Sequence, residues 1–194
     1  MKVIGITGGI GSGKTIACRI FSKLGIPVYE ADKEVHLLYD RYPEIIERIK
    51  KEISEDVVDK NGKINRKKLG EIVFENSKKL GILNGIVHPL VKTDFIKWIE
   101  KNKGYPYVLK EAAILFESGS DQDCDKTITV VSPIDLRIAR LKERDNKSRA
   151  ETEQIISQQM SDEERIKKSD FVIYNDEKQL LIPQVLKIHN ALVK

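Results

Sequence analysis

Near its amino terminus the chain passes from a strand pattern to a helix pattern through eight residues that leave few folds open. Lys2, Val3, Ile4, Gly5 and Ile6 form a short, mostly apolar run rich in β-branched residues. Gly8-Gly9-Ile10-Gly11-Ser12-Gly13-Lys14-Thr15 follows and satisfies G-x-x-x-x-G-K-[ST] at each fixed position. Ile16, Ala17, Ile20, Phe21 and Leu24 then recur at helical spacing until Gly25 stops them. A glycine-rich turn between a strand and a helix is the context a phosphate-binding loop requires. Glycines let the backbone wrap an anion without a Cβ clash, and successive N–H groups and the helix start then face the phosphates. In this reading Gly9, Gly11, Ser12, Gly13, Lys14, Thr15 and Ile16 cradle a nucleoside triphosphate, chiefly through backbone amides. Lys14 reaches the β- and γ-phosphates, and the Thr15 hydroxyl is the expected Mg²⁺ ligand. The competing reading is a flexible turn with a chance lysine, and the flanking strand and helix patterns disfavour it.

A chain of 194 residues accommodates one domain, or one core with insertions. With 40% hydrophobic and 33% charged residues the composition is that of a soluble globular protein. No apolar run approaches the roughly 20 residues of a membrane span, and no basic n-region with a cleavage site precedes the first strand, so no signal peptide is expected. Cys18 and Cys124 are far apart and fit no ligand spacing. A reducing, cytoplasmic setting is the expectation. The net charge of +4 invites a nucleic-acid partner. However, bases and acids interleave, as in Lys50-Lys51-Glu52 and Lys142-Glu143-Arg144, which marks solvated helix faces. Neither nucleic acid nor membrane is expected as a partner.

Short apolar runs at 3–6, 27–29, 107–109, 127–131 and 171–174 read as buried parallel strands. Helical patterns separate them, which predicts an α/β sheet with crossover helices. Residues 35–103 contain no convincing strand. They carry Ile45, Ile46, Ile49 and Ile53 on one helix side and a loop at Asp59-Lys60-Asn61-Gly62. This stretch reads as a helical insertion, either a substrate-binding module or extra scaffold. Leu181, Val185, Ile188 and Leu192 give a last helix packed on the sheet, with Pro183 tolerable only in its first turn.

Residues 133–168 form a second excursion. Ser132 and Pro133 predict a helix start with the serine as N-cap. Ile134, Ile138 and Leu141 then make an apolar stripe, and Arg137, Arg140 and Arg144 make another about 100° away. Three arginines on one face suit a solvated surface or a lid closing over a transferring phosphoryl group. Spacing alone leaves both open.

Phosphoryl transfer needs positioning, charge neutralisation and an acceptor for the nucleophile's proton. In open parallel sheets the ligand lies beyond the carboxyl ends of the strands. Asp32, Glu111 and Glu117 fall at such ends, with Asp32 the strongest choice for the proton acceptor. Each could instead be an ordinary loop or cap carboxylate. Pro89 biases His88 away from helix, and His88 is a phosphate contact or a plain loop residue.

In order along the chain these pieces resemble the dephospho-coenzyme A kinase family nearly end to end. The resemblance rests on residues 4–15, then Leu24-Gly25-Ile26-Pro27-Val28 leading to Ala31-Asp32, then His88-Pro89. Ile114-Leu115-Phe116-Glu117, Arg140-Leu141 with Arg144-Asp145, Gln158-Gln159, and Asp170 through Asn175 continue it. Glu111-Ala112-Ala113 stands where the family often has Asp-x-Pro, Thr15 where serine is usual, Arg165 where lysine is common, and Ser169 where alanine is common.

The resemblance implies a three-layer P-loop kinase core with a five-stranded parallel sheet of order 2-3-1-4-5. It also implies a core of 1–34 and 104–194 with a lid at about 133–168, and a helical coenzyme-A-binding insertion at 35–103. The implied reaction is ATP- and Mg²⁺-dependent phosphorylation of the ribose 3′-hydroxyl of dephospho-CoA. Asp32 would be the general base, Lys14 and Arg140 would act on the phosphates with Arg144, and His88 and Glu111 would serve the substrate. A nucleoside monophosphate kinase or a non-catalytic P-loop switch are the alternatives. The absence of an Asn-Lys-x-Asp base-reading element argues against a GTPase.

Overall fold

The computed structural model describes residues 1–74 and 76–194. The chain divides into two compact units, one made of 1–30 and 102–194, the other of 31–101.

The first unit is a parallel sheet flanked by helices. Its strands are β1 (Lys2–Thr7), β2 (Val28–Glu30), β3 (Tyr107–Glu111), β4 (Lys126–Val131) and β5 (Phe171–Tyr174), within a residue or two of the expected runs. They lie in the order β2-β3-β1-β4-β5, and every neighbouring pair is parallel. This is the expected topology. Register sets Ile6 beside Glu111 and Glu111 beside Glu30, so two carboxylates stand side by side at the carboxyl edge.

Because side chains alternate across a strand, Ile4, Ile6, Tyr107, Leu109, Ile128, Val130 and Ile173 all face one side. There they meet Ala17, Cys18 and Phe21 of α1 (Lys14–Lys23) and Val185, Ile188 and Leu192 of the last helix, Leu181–Leu192. Pro183 lies in that helix's first turn, where its missing N–H costs nothing. The other face carries Gly5, whose Cα hydrogens allow the Leu115 side chain to close in, and Thr127 and Thr129 beneath residues 165–170.

The second unit is helical: α2 (Ala31–Arg41), α3 (Pro43–Glu52), a 3₁₀ turn (Glu55–Val57), α4 (Arg66–Phe74) and α5 (Ser77–Lys101). It has its own core, built on Leu38, Ile45, Ile49, Val57, Leu69 and Ile86. The Asp59–Gly62 loop is a turn, closed by the Asp59 carboxylate accepting from Asn61 and Lys63 N–H and by a Val58–Ile64 bridge. One local expectation fails here. Pro89 does not end a helix, because α5 runs through it. Ile86 and Val87 are buried and Leu90 and Val91 pack partly, and this burial outweighs one lost ladder bond. Gly85, whose carbonyl loses its donor, is exposed to water.

The remaining helices of the first unit are α6 (Ile134–Asp145), α7 (Arg149–Ser157), α8 (Asp162–Lys168) and α9, the Leu181–Leu192 helix already placed. The start of α6 also departs from expectation. Its cap position is Pro133, without a side-chain cap, and the Ser132 hydroxyl instead accepts from Arg140 Nη1 at 3.0 Å. The apolar stripe shifts too: Ile134 is 52% exposed, and Arg137, at 3%, takes the buried place beside Ile138 and Leu141.

Candidate functional site

The glycine loop spans residues 8–13 between β1 and α1. Gly11 and Gly13 have φ of 75° and 93°, left-handed values that glycine adopts without penalty. Neighbours press on the loop closely. A Cβ at Gly8 would strike the Val130 carbonyl, one at Gly9 the Arg137 guanidinium, and one at Gly13 the Asn175 amide. Asn175 follows β5 and is held by its N–H to Val131 O at 2.8 Å.

Three consecutive carbonyls of the loop are each taken by a side chain. Ile10 O accepts from Arg137 Nε at 2.7 Å, Gly11 O from Arg140 Nη1 at 3.2 Å, and Ser12 O from Asn175 Nδ2 at 2.8 Å. A peptide is planar, with its C=O and the next N–H pointing opposite ways. Tying the Ile10 and Ser12 carbonyls to the outer wall therefore turns the Gly11 and Gly13 N–H groups toward the hollow. The Ser12 N–H closes the turn by donating to Gly9 O at 3.0 Å.

Helix α1 begins at this hollow with Gly13 as N-cap, no side-chain cap and no acid in its first turn. The same chain caps α7 and α8 with serine–glutamate capping boxes. A helix start carries partial positive charge, and here the sequence adds Lys14 to it. An uncapped, lysine-bearing helix start is built to be completed by an anion from outside. The Lys14 ammonium is paired with the Glu111 carboxylate at the end of β3, and both are largely buried. Thr15 and Ile16 are exposed on the first turn.

Arg140 is half-buried. Besides Gly11 O and Ser132 it reaches Glu177 Oε1 at 3.3 Å and Asn175 O at 3.4 Å. Arg144 is mostly exposed and forms two bonds to Asp145, at 2.8 and 2.7 Å. That pairing raises the Arg144 pKa and lowers the Asp145 pKa. The three arginines expected on one face thus have three separate surroundings. Burial lowers the Arg137 pKa most, with Asp162 opposing and Arg165 adding to that effect. Glu117 also enters this network, accepting from Arg165 Nη2 at 2.9 Å.

Arg137, Gln159 and Asn175, which no sequence pattern ties to the loop, are the side chains that hold its backbone. The place of Arg137 next to Ile138 and four residues before Leu141 was the available signal for its burial.

In the helical unit, Asp32 lies in the first turn of α2, directly after the carboxyl end of β2. His88 is an exposed residue of α5.

The loop fits a polyphosphate: glycines at the points of closest approach, amides turned inward, a lysine at the helix start. Among the described residues no group of three or more His, Cys, Asp or Glu gathers to hold a metal. Thr15, exposed on the first turn of α1, suits a Mg²⁺ ion carried mainly by phosphate oxygens, which needs few protein ligands. Among the described residues no helix is long and apolar enough to cross a membrane.

A dephospho-CoA kinase family model matches residues 2–180. A dephospho-CoA kinase of Fusobacterium nucleatum is 43% identical over 176 residues, covering 91% of this chain and 90% of that one. Among solved structures, a Thermus thermophilus protein aligns with a TM-score of 0.90 at 28% identity, over 100% of this chain and 98% of its own. A Campylobacter jejuni dephospho-CoA kinase aligns with a TM-score of 0.72 at 28% identity, over 98% and 96%.

Proposed function

The chain belongs to the dephospho-CoA kinase family, and from that premise we propose how its residues carry the ATP γ-phosphoryl group to the ribose 3′-hydroxyl of dephospho-CoA, the last step of coenzyme A biosynthesis. The observation that carries the proposal is the inward-facing glycine loop leading into an uncapped helix start.

Residues Gly9, Gly11, Ser12, Gly13, Lys14, Thr15 and Ile16 line the triphosphate site, and the inward-turned Gly11 and Gly13 amides face the phosphates. Lys14 exchanges the Glu111 carboxylate for the β- and γ-phosphate oxygens, where negative charge builds during transfer. Arg140 adds fixed positive charge at the loop's rim, and Arg144 adds a mobile one once it leaves Asp145. The Thr15 hydroxyl would hold a Mg²⁺ ion brought in with the nucleotide, and that ion would supply charge neutralisation during transfer. Glu111 serves the substrate side of the same site.

Asp32 accepts the proton of the 3′-hydroxyl as that oxygen forms its bond to the γ-phosphorus. The bond from phosphorus to the β-phosphate oxygen breaks, and ADP leaves. The helical unit 31–101 supplies contacts to dephospho-CoA, with His88 among them. A cytoplasmic setting goes with this function, in keeping with two cysteines that form no disulfide.

A coupled ADP-release assay tests the proposal. With ATP and Mg²⁺, dephospho-CoA should drive ADP formation, and AMP, CMP or UMP should not. Equal rates with a nucleoside monophosphate would move the acceptor from a sugar hydroxyl to a 5′-phosphate.

A further inference from the structure

Ile10, at the crest of the glycine loop, is gripped at both of its backbone polar groups by side chains from elsewhere in the same unit. Its N–H donates to Gln159 Oε1 at 2.9 Å, and its carbonyl accepts from Arg137 Nε at 2.7 Å. These two grips belong to one closed ring. Arg137 Nη1 reaches Asp162 Oδ2 at 3.3 Å, and Asp162 Oδ1 accepts from Arg165 Nη1 at 3.2 Å. Arg165 Nη2 donates to Glu117 Oε1 at 2.9 Å, and that same oxygen accepts from Met160 N at 3.1 Å. Met160 is the neighbour of Gln159, whose side chain leads back to Ile10.

We propose that Arg137 and Gln159 are positioning residues for ATP: they hold the Ile10 backbone so that the loop's amides are already aimed before the triphosphate arrives. The inference rests on reading this loop as the ATP site.

Three observations carry it. First, the loop is rich in glycine, whose peptides rotate with little steric resistance. Without outside support the ordering of those peptides would be charged against binding, and a preformed loop avoids that charge. Second, the Ile10 carbonyl and the Gly11 N–H share a plane, so fixing one aims the other. Third, the ring is an expensive thing to build for packing alone. It buries Arg137 to 3% and Arg165 to 1% exposure, and apolar side chains of like volume usually serve stability as well or better. What apolar side chains cannot supply is a pair of directional bonds to one backbone residue. The glycines agree, because a Cβ at Gly9 or Gly11 would push against Arg137 itself.

The test titrates ATP with Mg²⁺ into wild type, Gln159→Ala, Arg137→Ala and the double variant by calorimetry, with KM for ATP and for dephospho-CoA measured alongside. Gln159→Ala removes one half-buried acceptor and leaves the buried charges paired, so it stays decisive if Arg137→Ala does not fold. Each single variant should weaken ATP about tenfold, the loss of one hydrogen bond to a binding peptide. KM for dephospho-CoA should stay within about twofold. The double variant should lose less than the product of the two single losses, because either change already frees the same residue. Unchanged ATP affinity in Gln159→Ala beside a wild type that binds would overturn the inference and leave the site assignment standing. Equal losses for ATP and dephospho-CoA would also overturn it, as general loosening. A wild type that binds no ATP would overturn the reading of the loop and this inference together.

Discussion

Lys14 stands where a helix start least tolerates a cation unless an anion joins it. In the structure Glu111 provides that anion. In the reaction the triphosphate does, and Lys14→Ala should lower kcat/KM by about 10²- to 10³-fold, the loss seen when a preorganised charge stabiliser is removed. Steady-state kinetics at saturating dephospho-CoA would check this, and near-normal turnover would refute the role. Asp32→Asn should behave differently. It keeps the shape and loses the proton acceptor, so kcat should fall about 10²-fold or more while the calorimetric affinity for ATP stays close to wild type. A fall in ATP affinity alone would make Asp32 a nucleotide contact. At this scale the sequence was most readable where chemistry demands a residue type at a fixed spacing, as from Gly8 to Thr15. It was least readable at Arg137. An arginine on a helix is solvated by default, and only the acceptors Ile10 O and Asp162, remote in sequence, make its burial possible.

Elements were legible where hydrophobic periodicity decides them and less so where a single residue competes with packing. The five strands and the order of the sheet follow from apolar runs and from the family resemblance. The helical passage through Pro89 and the cap of α6 do not, because the first depends on what the residues around the proline bury and the second on which donor claims the Ser132 hydroxyl. The amino ends of β4 and β5 carry a prediction of their own. Asp170 accepts from Lys126 Nζ at 2.7 Å and from Thr127 N at 2.8 Å, and the Thr127 hydroxyl also reaches it. Burial pushes its carboxyl pKa up, but these donors together outweigh that and hold it below the ordinary value. A carboxyl that titrates lower folded than unfolded contributes stability above its unfolded pKa of about 4, lost as pH falls through the folded value. Asp170→Asn should therefore lower Tm modestly at pH 7 and flatten its decline below about pH 4. A parallel decline in both proteins, followed by circular dichroism, would show that Asp170 carries none of the acid sensitivity.

At the scale of the whole molecule, two units with separate cores divide the chain. The sheet unit holds the glycine loop and every side chain that ties the loop's carbonyls outward. The sequence announced a helical stretch interrupting an α/β pattern, because a run from 35 to 103 without a strand is too long for one crossover. Which contacts that stretch makes to dephospho-CoA was hidden, since pattern records burial and not ligand shape. In the proposed reaction the loop of the sheet unit grips the ATP triphosphate while the terminal phosphoryl group passes to a sugar hydroxyl. Phosphorus-31 NMR of the products from ATP, Mg²⁺ and dephospho-CoA tests this transfer most directly. A new phosphomonoester resonance, that of a ribose 3′-phosphate, should grow in step with ADP. ADP accumulating with inorganic phosphate alone, or a new phosphoanhydride resonance in place of the monoester, would contradict it.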